Sequence, residues 1–161
     1  MIHLSSISAF FPAYNESENL EKMVDSLRDI LSQISQKHEI IIVNDGSQDA
    51  TVQIAEELVR RYPGEIRVIH HPENRGYGAA VRSGIKATRF DYVFFTDGDR
   101  QFDVTELSKL IPFIGVYDIV SGYRIHRADP LHRYLNSRVW NFLIRLILGV
   151  RVKDLNCAFK L

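Results

Sequence analysis

Apolar residues along this chain alternate between two spacings, which read in turn as strand and helix. Ile7 to Phe11 is a short continuous apolar run stopped by Pro12, as expected of a strand buried on both faces. Leu20, Met23, Val24, Leu27, Ile30, Leu31 and Ile34 then recur at helical spacing, and Asn15 and Glu18 have the spacing of a capping box at that helix's start. Glu39 to Val43 predicts a second strand, Asp45 to Asp49 a polar turn, and Val52, Ala55, Leu58, Val59 and Tyr62 a second helix closed by Pro63-Gly64. Ile66 to Ile69 is a third strand. A glycine-containing turn and a helix from about Ala79 to Thr88 lead to a strand opening at Tyr92. Leu107 to Ile111 predicts a short helix and Asp118 to Ser121 a further strand. Repeated β-α-β units imply an α/β fold, a Rossmann-like, mainly parallel sheet with helices on both faces and right-handed crossovers.

Composition narrows this picture only modestly. The 161 residues suit one domain, and 45% hydrophobic with 25% charged residues is ordinary for a globular protein. Net charge is zero, so the total gives no reason to expect nucleic acid. The distribution is uneven: residues 121–161 hold eight Lys/Arg against two acids, leaving residues 1–120 with a net −6. Such asymmetry points to an anionic partner for the C-terminal part, a phosphate or a membrane surface, with a solvated basic face as the plainer reading. Cys157 is the only cysteine, which fits a reducing, cytoplasmic setting. No signal peptide and no membrane-spanning run is visible. The stretch Tyr134 to Leu148 places Arg138 and Arg145 among Trp140, Phe142 and several Leu and Ile. It could lie in a membrane interface, or pack on the domain or on a second copy of the chain.

Candidate chemistry gathers where strands end. The run Tyr92-Val93-Phe94-Phe95-Thr96 leads straight into Asp97-Gly98-Asp99, with Gln101 just beyond. Ligands of parallel α/β sheets collect outside the carboxyl ends of the strands, and paired hard oxygens there suit a divalent cation that also holds a diphosphate. Gly98 is expected to let the backbone turn sharply so that both carboxylates face one site. The plainer reading is a polar turn. At the end of the first strand, Tyr14 could pack a base while Asn15 and Glu16 offer hydrogen bonds to base or ribose. At the end of the second, Asp45 accepts only, which suits the N–H edge of a nucleobase. Ser47 and Asp49 could equally cap the following helix. Asn74 to Gly84 is not a dinucleotide fingerprint, because Val81 stands where a third glycine or alanine belongs and the run follows the third strand. What remains is a glycine-rich helix start that either approaches a diphosphate or packs tightly on the sheet. His70 and His71 are adjacent on a strand, point to opposite faces and read as structural.

Taken in order, Pro12-Ala13-Tyr14-Asn15-Glu16, Asn44 to Asp49, Asn74 to Gly84, Asp97-Gly98-Asp99-Arg100-Gln101, Gly122-Tyr123-Arg124 and Asp154 to Lys160 resemble the family 2 glycosyltransferases of GT-A fold. The likeness is strongest to the dolichyl- or polyprenyl-phosphate sugar synthase branch. The resemblance implies an inverting transfer from a nucleotide-diphosphate sugar, of GDP-mannose or UDP-glucose type, to a polyprenyl or dolichyl phosphate. It implies that Pro12, Tyr14, Glu16 and Asp45 hold the nucleoside and that Asp97, Asp99 and Gln101 bind Mg2+ or Mn2+. Arg124, helped by Arg133 or Arg138, would meet the acceptor phosphate, and Asp154 lies near the acceptor side. Asp99, Arg124 and Asp154 are thus the candidate catalytic residues. Residues 1–120 would form the donor half and 121–161 a basic acceptor or membrane-facing part, peripheral on the cytoplasmic face. Asn44 stands where many relatives carry a second acid. The chain stops directly after the last motif, where family members commonly continue, so a shortened catalytic domain is expected. A nucleotidyltransferase would want a glycine-rich loop where Pro12 to Glu16 stands. A nucleotide-sugar-binding module without transfer, and a sugar-hydroxyl acceptor with Asp154 as base, stay open as alternatives.

Overall fold

A computed structural model describes residues 3–123 and 154–161, with isolated positions 139, 144, 146, 147 and 149 between them. Strands β1 (Leu4–Ala13), β2 (Ser35–Asp45), β3 (Ile66–His71), β4 (Tyr92–Thr96) and β5 (Phe159–Lys160) form one sheet in the order β3-β2-β1-β4-β5. All neighbours are parallel except β4 with β5. Helices α1 (Leu20–Ile34) and α2 (Thr51–Arg61) cover one face, and α3 (Tyr77–Ala87) covers the other. The expected fold class is what the structure shows.

The helical stripe of α1 lies where its spacing puts it: Leu20, Met23, Val24, Leu27, Ile30, Leu31 and Ile34 are all buried. They pack with Ile7, Ala9, Phe11, Ile40, Ile42 and Phe94 to form the larger core. The α3 face is smaller, built on Phe10, Ile41, Val43 and Ala80. Gly84 is what lets α3 come so close, because a Cβ there would lie 2.1 Å from the Phe10 ring. At the lower end of this face Glu39 is buried and accepts from the Ser8 hydroxyl at 2.7 Å, Arg67 at 2.8 Å and the Arg89 amide at 3.1 Å. Arg67 also donates to the Ala87 carbonyl, so the last residue of α3 is tied to β3.

Four expectations need correction. β1 does not stop at Pro12: Pro12 and Ala13 still pair with Val43 and Asn44, while the β4 ladder has already ended at Phe10–Phe95. With one side of the strand unpaired there, proline's missing donor is tolerated. Asn15 and Glu18 form no capping box, because α1 opens later, after Asn19, and no side chain caps it. Leu107–Ile111 is not one short helix but falls across two 3-10 segments, Val104–Lys109 and Ile111–Phe113. Asp118–Ser121 is not a strand of the sheet. The place beside β4 goes to β5, and residues 120–122 pair outside it: Val120 and Leu161 exchange backbone bonds of 2.7 and 2.9 Å, and the Gly122 amide donates to the Phe159 carbonyl at 2.9 Å. A two-residue strand is too short to carry any periodic signal, so only the pairing reveals it.

Candidate active site

The strand order reverses between β1 and β4, and an open α/β sheet forms its crevice at that point, beyond the carboxyl ends of the strands. A cleft of about 350 Å3 lies there. The end of β1 contributes Pro12, Ala13, Tyr14 and Glu16, and the end of β2 contributes Asp45. The start of α3 adds Asn74, Tyr77 and Ala80, and the end of β4 adds Asp97, Gly98 and Asp99. Residues far apart in sequence therefore meet because four consecutive β-α junctions open on one edge.

Gly98 serves this edge differently from its expected role. The positive φ of the turn belongs to Arg100 (59°), not to Gly98. Glycine is needed at 98 because a Cβ would stand 2.7 Å from the Pro12 carbonyl oxygen and 3.1 Å from the Phe11 ring. Absence of a side chain lets the Asp97–Asp99 turn lie directly on the end of β1. The Asp99 Oδ1 accepts from the Gln101 amide at 3.0 Å, which braces the turn from within. Gln101 itself is exposed and does not line the cleft.

The β1–α1 and β2–α2 junctions are stitched to each other. Asn15, at φ 56°, donates its amide to Ser47 Oγ at 3.0 Å and accepts from the Gln48 amide at 2.8 Å. Glu16 and Ser17 amides donate to Thr51 Oγ1 and Asp49 Oδ2. Burial opposes the charge on Asp49, but the bonds it accepts from Thr51 and Ser17 outweigh burial and lower its pKa to about 2. Ser47 and Asp49 thus support the loops that present Tyr14 and Glu16. Tyr14 is 42% exposed and lines the cleft.

Asp45 is almost wholly buried and accepts three bonds: from His71 Nδ1 at 2.6 Å, and from the Arg75 and Gly76 amides at 3.0 and 2.9 Å. Burial works against its charge, yet these donors together hold its pKa below the ordinary aspartate value. Asn44 is also explained. Its Oδ1 accepts from the Ser47 amide, so its Nδ2 must donate to His70 Nδ1, and His70 then offers Nε2–H to Glu56. A carboxylate at position 44 would need a protonated His70 instead.

Tyr77 lines the cleft without having been singled out in the sequence, and His71, read there as structural, buttresses it. Tyr77 donates its hydroxyl to Asp97 Oδ1 at 2.7 Å. Burial, then that bond and the charges of Asp97 and Asp99, push its pKa up, so it stays a donor. His71 supports Asp45 as described. Both act on a carboxylate distant in sequence, and the one usable signal was that His71 ends, and Tyr77 soon follows, a strand that opens on the same edge. Asp154 is buried and lies outside the cleft lining; its carbonyl accepts from the Cys157 amide. Arg124, Arg133 and Arg138 lie outside the described residues, as does Tyr134–Leu148 apart from four isolated positions. Among the described residues, no helix is long and apolar enough to cross a membrane, and no group of three His, Cys, Asp or Glu could cage a metal.

A cleft at the switch point of an open, mainly parallel sheet, lined by Glu16, Asp45, Asp97 and Asp99, defines the class: an α/β domain with an acidic crevice at its carboxyl edge. The chain belongs to glycosyl transferase family 2, whose model matches residues 8–161. It is 33% identical over 174 residues to the dolichyl-phosphate beta-glucosyltransferase of Drosophila melanogaster, covering 96% of this chain and 53% of that protein. It is 29% identical over 155 residues to the undecaprenyl-phosphate 4-deoxy-4-formamido-L-arabinose transferase of Pseudomonas fluorescens, covering 96% and 46%. The chain spans about half the length of the curated relatives it matches. Among solved structures, glucosyl-3-phosphoglycerate synthase from Mycobacterium tuberculosis superposes with a TM-score of 0.71 at 23% identity, over 97% of this chain and 56% of that one. A mannosyltransferase from Pyrobaculum calidifontis, in complex with GDP-Man and Mn2+, gives 0.64 at 18% identity, over 76% and 36%. At such identities the likeness is one of fold, and that fold is the GT-A glycosyltransferase fold.

Proposed function

We propose that this chain carries the donor site of an inverting, metal-dependent transferase that moves a sugar from a nucleotide-diphosphate sugar to a polyprenyl or dolichyl phosphate. The observation that carries the reading is the meeting of Asp97 and Asp99 with Tyr14, Glu16 and Asp45 in one switch-point cleft. Pro12, Tyr14, Glu16 and Asp45 would hold the nucleoside, and a diphosphate would run along the start of α3, whose Asn74, Tyr77 and Ala80 line the cleft. The donor set fits a small hard cation. Mg2+ typically binds through one or two carboxylates plus substrate phosphates, and Asp97 and Asp99 supply that number without a full protein cage. Gln101, expected as a third oxygen, is exposed outside the cleft lining, so the two carboxylates carry the metal reading. A cation held there would neutralise charge on the departing diphosphate.

The acceptor chemistry asks little of a base. A phosphate monoester loses its second proton near pH ~6, so at neutral pH its oxygen is already ionised. That oxygen attacks the anomeric carbon as the bond to the donor diphosphate breaks on the opposite side, which inverts the centre. Arg124, with Arg133 or Arg138, would hold the acceptor phosphate, and Asp154 would lie on that side. Residues 1–120 thus act as the donor half and 121–161 as the basic part toward acceptor and membrane surface, with peripheral attachment. Isothermal titration with GDP-mannose and UDP-glucose, each with and without Mn2+, followed by a polyprenyl-phosphate transfer assay, tests this. Binding with metal-dependent transfer is expected. Binding without transfer would reduce the chain to a nucleotide-sugar-binding module, and no binding of either donor would overturn the reading.

A further inference from the structure

His70 and His71 look alike in sequence, but the sheet separates them. Asp45 and His71 are register partners on β2 and β3, and so are Asn44 and His70. Side chains alternate across a strand, so His70 reaches Glu56 on α2 while His71 turns to the α3 face. There His71 stands between two partners: Nδ1 contacts Asp45 Oδ1 at 2.6 Å, and Nε2 contacts the Ser83 hydroxyl on α3 at 2.8 Å. An ionised carboxylate only accepts, so Nδ1 carries the proton and the Ser83 hydroxyl closes the chain at Nε2. His71 and Asp45 are 6% and 3% exposed, so the pair is shielded from water.

The carboxylate at the centre is nearly saturated. Two of its acceptor positions, on Oδ1, go to His71 and the Arg75 amide, and a third, on Oδ2, goes to the Gly76 amide. One position on Oδ2 is left for a ligand in the cleft that Asp45 lines. The same amides belong to the turn that enters α3, where Gly76 sits at φ 86°. Gly46 lets this turn lie against β2, because a Cβ there would be 2.5 Å from the Asn74 nitrogen.

We infer that His71 is a positioning residue for donor binding: by holding Asp45 it aims the one remaining carboxylate acceptor at the nucleoside, and through Asp45 it fixes the turn that carries the start of α3. The donor part of this inference rests on the function proposed above.

The chemistry of the pair gives a graded test. Asparagine at 71 keeps a donor near the place of Nδ1. Glutamine keeps the reach to Ser83 but loses that donor, and leucine removes both. Two readouts apply: hydrogen exchange of the Arg75 and Gly76 amides in the ligand-free protein, and the Kd for GDP-mannose and UDP-glucose with Mn2+. A hydrogen bond to a charged group corresponds to a factor of about ten to a hundred in an equilibrium constant. His71→Leu should therefore speed exchange most at the Arg75 amide, since the Gly76 amide keeps Asn74 Oδ1 as a second acceptor at 2.9 Å, and weaken the bound nucleotide sugar by about that factor, leaving the amides of α1 unchanged. His71→Asn should recover most of both losses, and His71→Gln less. Unchanged exchange of the Arg75 amide in His71→Leu, or glutamine rescuing as well as asparagine, would overturn the inference. Faster exchange with unchanged nucleotide-sugar affinity would overturn the donor role. If His71→Leu fails to fold, the order of asparagine over glutamine decides alone. Should the parent protein bind neither nucleotide sugar, the proposed function fails, while amide exchange still decides whether His71 holds the turn.

Discussion

Helix α3 contains two glycines whose replacement by alanine should act with opposite signs. A Cβ on Gly84 would lie 2.1 Å from one Phe10 ring carbon and 2.5 Å from another. Carbon atoms in contact sit at about 3.5–4.0 Å, so ring or helix must move by about 1.5 Å. The ring has little room: Phe10 is wholly buried, packs with Ile41 and Val43, and stacks on Phe95 at a centroid distance of 5.0 Å. Overpacking of this kind costs about 1–3 kcal/mol, and alanine's better helix propensity returns up to about 1 kcal/mol. A net loss of about 1–2 kcal/mol is expected, with Tm falling by about 2–8 °C in a domain of this size. A Cβ on Gly78 would meet nothing within 4 Å, so Gly78→Ala should be neutral or gain a few tenths of a kcal/mol, ~0.5 at most. Urea and thermal denaturation of both variants, followed by circular dichroism, provide the measurement. If Gly84→Ala is as stable as Gly78→Ala, the close approach of α3 to β1 is wrong, and with it the placement of Tyr77 over Asp97.

Asp99→Asn should abolish metal-dependent donor turnover while the thermal melt stays unchanged; retained activity would remove Asp99 from the metal site. Arg67→Met would leave the buried Glu39 carboxylate with only the Ser8 and Arg89 donors, at a cost of about 2–4 kcal/mol in urea denaturation. A loss below ~0.5 kcal/mol would show that Glu39 is neutral or hydrated. Asp49 has a folded pKa of about 2 against an unfolded value near ~3.9, so its contribution is complete above ~3.9 and disappears as pH falls to about 2. Asp49→Asn should flatten the stability-against-pH slope across that window, and an unaltered slope would contradict the bonding described. Arg124→Ala should raise the acceptor KM more than the donor KM; the reverse order would take Arg124 out of the acceptor role.

How much of this was legible in the sequence depends on whether each feature reports on its own neighbourhood. The α1 stripe did, because seven buried positions repeat at one helical period and need no distant partner. Two positions of β1 did not. Ser8 is polar yet wholly buried, since Glu39 and the Arg89 amide satisfy it from other elements, and Pro12 extends the strand only because β4 has already ended. Asp97-Gly98-Asp99 was legible as a turn at the end of a strand, and it lines the cleft, but the reason for its glycine was not. Turn chemistry suggests conformational freedom, whereas the structure shows a collision with Pro12 avoided. Tyr77 and His71 each act on a carboxylate from another strand end. Only the strand order, which follows from the whole chain, brings them together.

The pairing of residues 120–122 with 159–161 has a consequence for how such a domain can vary. Residues on either side of the stretch between Tyr123 and Asp154 are hydrogen-bonded to each other at β5, so its two ends are held together in polymer terms. Doubling the length of such a closed stretch adds only about 0.6 kcal/mol of closure entropy. Insertions there leave the register of β1, β2 and β4 untouched, and so leave the carboxylates of the cleft where they are. The length and sequence of that stretch could therefore change while the sheet edge is kept, with substitution rates in the two parts free to diverge.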